Sequence, residues 1–166
     1  AALEKLPQLA RRGDNSASPS ALARSYLHVQ CSHCHRFNGG GAGSFELLLT
    51  LSDGDTKLID EPARQGTLDI PGARLVVPGI PEQSLLYVRM AKFGRGRMPH
   101  LGAELVDEEA IGWIDAWIRS LSEKPNQRPA VGLDSVATAL SAARAIGRSE
   151  LTTADRDRLL AKAAEH

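Results

Sequence analysis

Two thiols and an imidazole fall within five consecutive residues, Cys31-Ser32-His33-Cys34-His35. The chain has no other cysteine. Two cysteines three residues apart, with a histidine directly after the second, form the attachment sequence of c-type haem. In that chemistry the thiols add across the porphyrin vinyl groups and the histidine ligates the iron. The spacing therefore predicts one covalent haem c, anchored by Cys31 and Cys34, with His35 as the proximal iron ligand.

Two other kinds of site use the same cysteine spacing. A thioredoxin-like redox pair follows a strand, whereas the residues before Cys31 have a helical pattern and His35 has no role in that chemistry. A zinc site needs four ligands, and the other histidines form no second paired motif; they are His28, His33, His100 and His166. Both alternatives stay open behind haem.

The second axial position of the iron has several candidates. Met98 is the leading one, because Met98-Pro99 lies in a predicted loop between two helices and proline restricts the backbone beside it. Met90, His100 and His28 are alternatives, and an open position is another. A sulfur ligand favours ferrous iron and suits electron transfer, whereas an open position would allow small-ligand binding or peroxide chemistry. We therefore expect Met98 to decide the function.

Composition narrows the class of protein. The 166 residues suffice for one or two small domains, and a formal net charge of zero gives no global attraction to nucleic acid.

No segment reaches the ~18 to 20 apolar residues that span a bilayer, and no signal-like segment begins the chain. Because covalent haem attachment takes place outside the cytoplasm, we expect a mature or excised periplasmic or otherwise extracytoplasmic fragment. The basic cluster Arg89, Lys92, Arg95 and Arg97 predicts a solvated face.

Helix signals dominate the predicted elements. We expect an N-terminal helix and linker over residues 1–16, a central domain over 17–124 with an insertion at about 39–80, and a linker with a helix pair over 125–166. Asp53-Gly54 between two apolar runs predicts a small β-hairpin of residues 45–51 and 56–60, although Glu46–Leu51 could equally form a helical turn and a half. The other predicted elements are helices at Pro19–Gln30, Pro81–Phe93, Asp107–Leu121, Leu133–Gly147 and Thr152–Glu165, and a brief strand at Arg74–Val77.

Residues 17–122 resemble the cytochrome c family with His/Met ligation. Ala23 and Leu27 precede the motif where that family has a small residue and an aromatic one, and Trp117 resembles the aromatic of its closing helix. The stretch 73–86, followed by Arg97-Met98-Pro99, is similar to cytochrome domains of multidomain extracytoplasmic proteins of planctomycetes. The resemblance implies a mostly α, cytochrome c-like helical fold around one haem, and a dehydrogenase module or another redox protein as partner.

The resemblance also implies roles for further residues. No proline follows the motif, so we expect a carbonyl of residues 39–44 to accept a hydrogen bond from His35. Expected pocket walls are Phe37, Leu75, Val77, Leu85, Leu86 and Leu101, and candidate partners of the haem propionates are Arg36, Arg74 and Arg97. The predicted function is single-electron transfer by a mono-haem domain that is not an enzyme. The alternatives are a haem enzyme or sensor with an open distal position, and a purely structural haem.

Overall fold

The computed structural model describes residues 7–102 and 104–122, and helices are the only regular secondary structure in this part of the chain. Helix α1 spans Pro19–Cys31, α2 spans Leu85–Ala91 and α3 spans Glu108–Ser120, with a single 3₁₀ turn at Pro81–Gln83 before α2. Loops connect these elements. The predicted mostly α composition is confirmed, and α1 and α3 agree with the predicted helices to within one residue at each end.

Side-chain caps explain where the two long helices begin. The Ser18 hydroxyl accepts the backbone N–H of Ala21 at 3.1 Å, and proline follows at the first helical position. The carboxylate of Asp107 accepts the N–H of Ala110 at 3.2 Å. The acidic residues of the next two positions suit the positive end of the α3 dipole. These caps fix the direction in which each helix leaves its loop.

The core forms where α1 crosses α3, and α2 packs against α3 beside it. Ala23 and Leu27 of α1 are fully buried, and Trp117 of α3 is 1% exposed in the same apolar cluster. This crossing holds the end of α1, and with it the cysteine motif, against the rest of the domain.

The predicted β-hairpin is wrong, because residues 45–51 and 56–60 form no strands. Arg24 of α1 donates to the carbonyl oxygens of Leu48 and Leu51 at 3.0 and 2.7 Å, so a side chain takes acceptors that a strand ladder would use. Gly54 does not adopt the positive φ that a two-residue hairpin turn requires. The insertion is instead a set of turns held onto α1.

Two further predictions need correction in the segment before α2. Arg74–Val77 is not a strand, although it makes isolated bridges to Ile59 and Ser84. The helix predicted over Pro81–Phe93 is interrupted at Ser84, which is extended with φ −91° and ψ 108°. Its hydroxyl donates to the Ile80 carbonyl at 2.8 Å and accepts the N–H of Val77 at 2.9 Å. These bonds divide the segment into a 3₁₀ turn and the shorter α2.

The remaining sequence predictions fall at the two ends of the chain. Residues 7–10 are not helical, and residues 1–6 lie outside the described part. The predicted C-terminal helix pair also lies outside it. Among the described residues, no helix has the length and apolar composition to cross a membrane.

Candidate functional site

The cysteine motif begins at the last residue of α1. Cys31 ends the helix, and its carbonyl oxygen accepts the backbone N–H groups of Cys34 at 3.1 Å and His35 at 2.9 Å. The hydroxyl of Ser32 donates to the His28 carbonyl at 2.6 Å and closes the helix end. A tight turn therefore brings two thiols and an imidazole together at the end of a helix whose inner face is buried.

The two thiols differ in their surroundings. Both are free of disulfide bonds; Cys31 is partly buried and Cys34 is exposed. Burial, reinforced by the charge of Cys34, raises the pKa of the Cys31 thiol to about 11. Cys31 thus packs against the apolar core, whereas Cys34 is exposed to solvent.

His35 is held by an aromatic ring and a glycine. Its imidazole stacks on Phe45 with ring centroids 4.4 Å apart and planes 15° from parallel. A Cβ at Gly41 would lie 2.9 Å from His35 Nδ1, so only glycine leaves room for the ring in this position. Sequence reasoning missed both residues, because Phe45 reads as the start of a strand and Gly41 as one of several glycines in a flexible run.

The hydrogen bond expected for His35 is not formed. Its Nδ1 atom is buried and has no hydrogen-bond partner among the described residues. The N–H of Gly41 donates to the Cys34 carbonyl at 2.9 Å. This bond places the backbone of Gly41 against the imidazole ring, and no carbonyl of the described residues accepts a hydrogen bond from its Nδ1 atom. The predicted carbonyl from residues 39–44 is therefore corrected to a packing contact.

The electrostatic surroundings of His35 favour its neutral form. Burial lowers the pKa of this imidazole, and the charges of His33 and His100 lower it further. A neutral imidazole is the form of histidine that binds a metal ion. His100 belongs to the loop between α2 and α3.

Met98 lies in the loop between α2 and α3, with Arg97 before it and His100 shortly after it. It is partly buried, its N–H donates to the Arg89 carbonyl at 2.9 Å, and a cis peptide bond joins it to Pro99. Arg97, before it, acts electrostatically on Tyr26 of α1, and His100, after it, acts on His35. The residues on either side of Met98 therefore lie within electrostatic range of α1 and of the motif.

The rival ligands are occupied or exposed. Met90 is 7% exposed and belongs to the apolar core. His28 Nδ1 accepts the N–H of Leu49 at 3.3 Å, which ties this histidine to the insertion. His100 is exposed. Of these four candidates, Met98 is the one whose side chain is partly buried, lies outside the apolar core and makes no hydrogen bond with another described residue.

The predicted pocket walls divide into two groups. Leu85 is 1% exposed, and Leu75, Val77 and Leu86 are partly buried. Phe37 and Leu101 are 79% and 87% exposed, so they add nothing to the protein core. The N–H of Phe37 donates to the Glu46 carboxylate at 2.8 Å, which holds this residue at the surface.

The basic cluster is not the solvated face that the sequence predicts. Lys92 and Arg97 are 5% and 9% exposed, although Arg95 is exposed. Arg89, Lys92 and Arg97 donate to backbone carbonyls of the surrounding loops, which is how the fold accommodates them. Of the other candidate propionate partners, Arg36 is exposed and Arg74 pairs with Asp60.

Comparison with other proteins adds no assignment. Neither protein-family models, nor curated proteins, nor solved structures match this chain. Within residues 7–102 and 104–122, no three side chains of His, Cys, Asp or Glu are grouped to hold a metal ion. The described residues therefore do not assemble the ligand set of a zinc site.

Proposed function

We propose that the chain is a mono-haem c-type cytochrome domain, with a cytochrome c-like fold, that transfers single electrons. The carrying observation is the arrangement of Cys31, Cys34 and His35 at the end of α1, where two free thiols and an imidazole share one turn. This is the set of groups that covalent haem attachment requires. The α1–α3 crossing supports the proposal, because it fixes that turn to the core.

The residues present fit haem c. Cys31 and Cys34 would hold it through thioethers, and His35 and Met98 would ligate its iron, which exchanges one electron when bound. Phe45 and Gly41 restrict the orientation of the His35 imidazole. The loop that carries Met98 is tied to α2 through the Arg89 carbonyl, which limits how far the thioether can move. A soft sulfur ligand from a tethered loop favours the ferrous state.

A redox protein or a fused dehydrogenase module is the proposed partner, in the periplasm or another extracytoplasmic compartment. Cys34 of the motif, Phe37 just after it and Leu101 in the loop after Met98 are all exposed. An exposed edge with apolar side chains suits a brief docking contact, because electron-transfer partners bury little area. We assign no catalytic residue.

The first test is covalent haem attachment. The chain is expressed with a cytochrome c maturation system, and its mass is measured after denaturation. We expect one haem per chain, and none in a variant with both Cys31→Ala and Cys34→Ala. His33→Ala is the matched control, because this exposed residue lies inside the motif without a ligand role. A wild-type chain that emerges from maturation without haem contradicts the proposal.

The second test separates electron transfer from ligand chemistry. We expect a low-spin ferric spectrum with the weak sulfur-to-iron charge-transfer band, and loss of that band in Met98→Ala. Met90→Leu is the control, because Met90 is a core residue and leucine conserves its volume. A high-spin ferric spectrum with ready CO binding in the unmutated protein would instead support a haem enzyme or sensor. Irreversible redox cycling would support a structural haem.

A further inference from the structure

Three basic residues close in sequence to Met98, namely Arg89, Lys92 and Arg97, are buried or partly buried. Arg89 and Lys92 lie on and just after α2, and Arg97 lies in the loop that turns back beside them. Lys92 and Arg97 are buried, with relative exposures of 5% and 9%. Buried charges are costly unless an opposite charge or many hydrogen bonds compensate them. We therefore asked whether each of these cations has an opposite charge or a full set of hydrogen-bond acceptors.

The hydrogen bonds of the cluster go to neutral acceptors. Arg89 donates to the carbonyls of Gly96 at 2.9 Å and Gln65 at 3.0 Å. Lys92 donates to the carbonyls of Phe93 and Arg95. None of these three cations forms a salt bridge with a carboxylate of the described residues; the ion pairs of the other arginines are Arg12–Asp107, Arg12–Glu109, Arg24–Asp53, Arg74–Asp60, Arg119–Glu82 and Arg119–Asp115. The cluster lacks a counter-charge among the described residues.

Arg97 is the member of this cluster whose hydrogen-bond donors are not all satisfied. Its Nη2 donates to the Leu105 carbonyl at 2.5 Å, and its guanidinium lies 4.6 Å from the centre of the Phe93 ring. Its Nε and Nη1 atoms are buried without any hydrogen-bond partner among the described residues. The other buried arginine, Arg24, pairs with the Asp53 carboxylate. Arg97 is thus an oriented cation with free donors and no anion.

The position of Arg97 relates it to the proposed haem site. It directly precedes Met98, the proposed second iron ligand, and its Nε and Nη1 atoms are buried donors. In the haem-loaded protein, Arg97 would therefore lie beside the residue that ligates the iron. A carboxylate brought into this region would find buried donors and net positive charge, which strengthen a charge-assisted hydrogen bond.

We propose that Arg97 binds a propionate carboxylate of the haem, with Arg89 and Lys92 supplying further positive charge around it. This inference rests on the proposed function, since haem is the source of the carboxylate. It distinguishes Arg97 from the other two candidates, because Arg36 is exposed and Arg74 already has Asp60 as its partner. Arg97 is a positioning residue for the cofactor.

The test uses the haem-loaded chain and compares Arg97→Gln, Arg97→Lys and the control Arg74→Gln. The readouts are the propionate bending bands in resonance Raman spectra and the midpoint potential. We expect Arg97→Gln to shift the bands and to increase the ferric-to-ferrous ratio at a fixed potential about tenfold, a fall of about 59 mV for one electron. Arg97→Lys keeps the charge, so it should shift the bands and leave the potential near that of the unmutated protein.

Several results would overturn the inference while the proposed function stands. One is unchanged propionate bands in Arg97→Gln with normal haem content. Another is a changed potential without a band shift, which would mean a long-range charge effect and no contact. A band shift in Arg74→Gln alone would assign the propionate to Arg74. If Arg97→Gln does not fold, Arg97→Lys still supplies the Raman comparison. A wild-type chain without haem overturns the proposed function itself.

Discussion

The His35 imidazole is oriented by packing and not by a hydrogen bond to another described residue. Its Nδ1 has no partner among the described residues, whereas its ring stacks on Phe45 and faces Gly41. A ligand imidazole that is oriented by packing is sensitive to volume around it, because interiors are close-packed. The glycine run after the motif therefore has one member whose lack of a side chain matters directly to the proposed iron ligand.

Gly41→Ala tests this dependence. The added Cβ would lie 2.9 Å from His35 Nδ1 and 2.9 Å from the Cys34 carbonyl oxygen, so the ring or the turn must move. We expect the free energy of unfolding of the haem-loaded chain to fall by about 1–3 kcal/mol in urea titrations, the usual cost of overpacking. The low-spin spectrum should weaken in parallel.

Gly40→Ala provides the matched comparison for this substitution. It lies next in sequence, yet a Cβ there meets nothing within 4 Å. Its unfolding free energy should stay within about 0.5 kcal/mol of the unmutated value. Equal losses in Gly40→Ala and Gly41→Ala would show that the glycines act through backbone freedom and not through contact with His35.

Helix α1 organises the insertion as well as the motif. Arg24 is 7% exposed, pairs with Asp53 and donates to the Leu48 and Leu51 carbonyls. One side chain thus replaces the strand pairing that the apolar runs predict. The turns of residues 45–56 are tied to the same helix that carries the cysteines.

Arg24→Met removes this anchor. We expect a loss of about 2–4 kcal/mol in unfolding free energy, because two carbonyls lose their donor and Asp53 loses its partner. Limited proteolysis should also become faster within residues 45–56. Arg74→Met is the control, since its ion pair with Asp60 is exposed and such pairs contribute about 1 kcal/mol or less. Similar losses in both variants would contradict the anchoring role.

Sequence reasoning predicts most of the helical frame and less of what lies between the helices. Ser18 and Asp107 are local caps, so their effect is visible in a few residues of sequence. The hairpin prediction fails because Arg24, distant in sequence, competes for the carbonyls. The burial of Arg97 and the stacking of Phe45 on His35 also depend on contacts across the fold, which residue type and spacing do not encode.

The whole domain has few large side chains with which to fill its interior. Aromatic residues make up 4% of the sequence, and the core of the described part contains mainly aliphatic side chains around Trp117 and Tyr87. Phe37 and Leu101 contribute nothing to that core. If haem c is the missing apolar body, the protein's stability depends on its attachment.

The same chain, purified with and without the maturation system, measures that dependence. We expect the haem-free form to lose on the order of 3 kcal/mol of unfolding free energy in urea, about the value of burying one or two large apolar side chains. His33→Ala with haem attached should behave as the unmutated protein. Coincident urea transitions for the two forms would mean that the polypeptide completes its own core, and that haem is an addition to a finished fold.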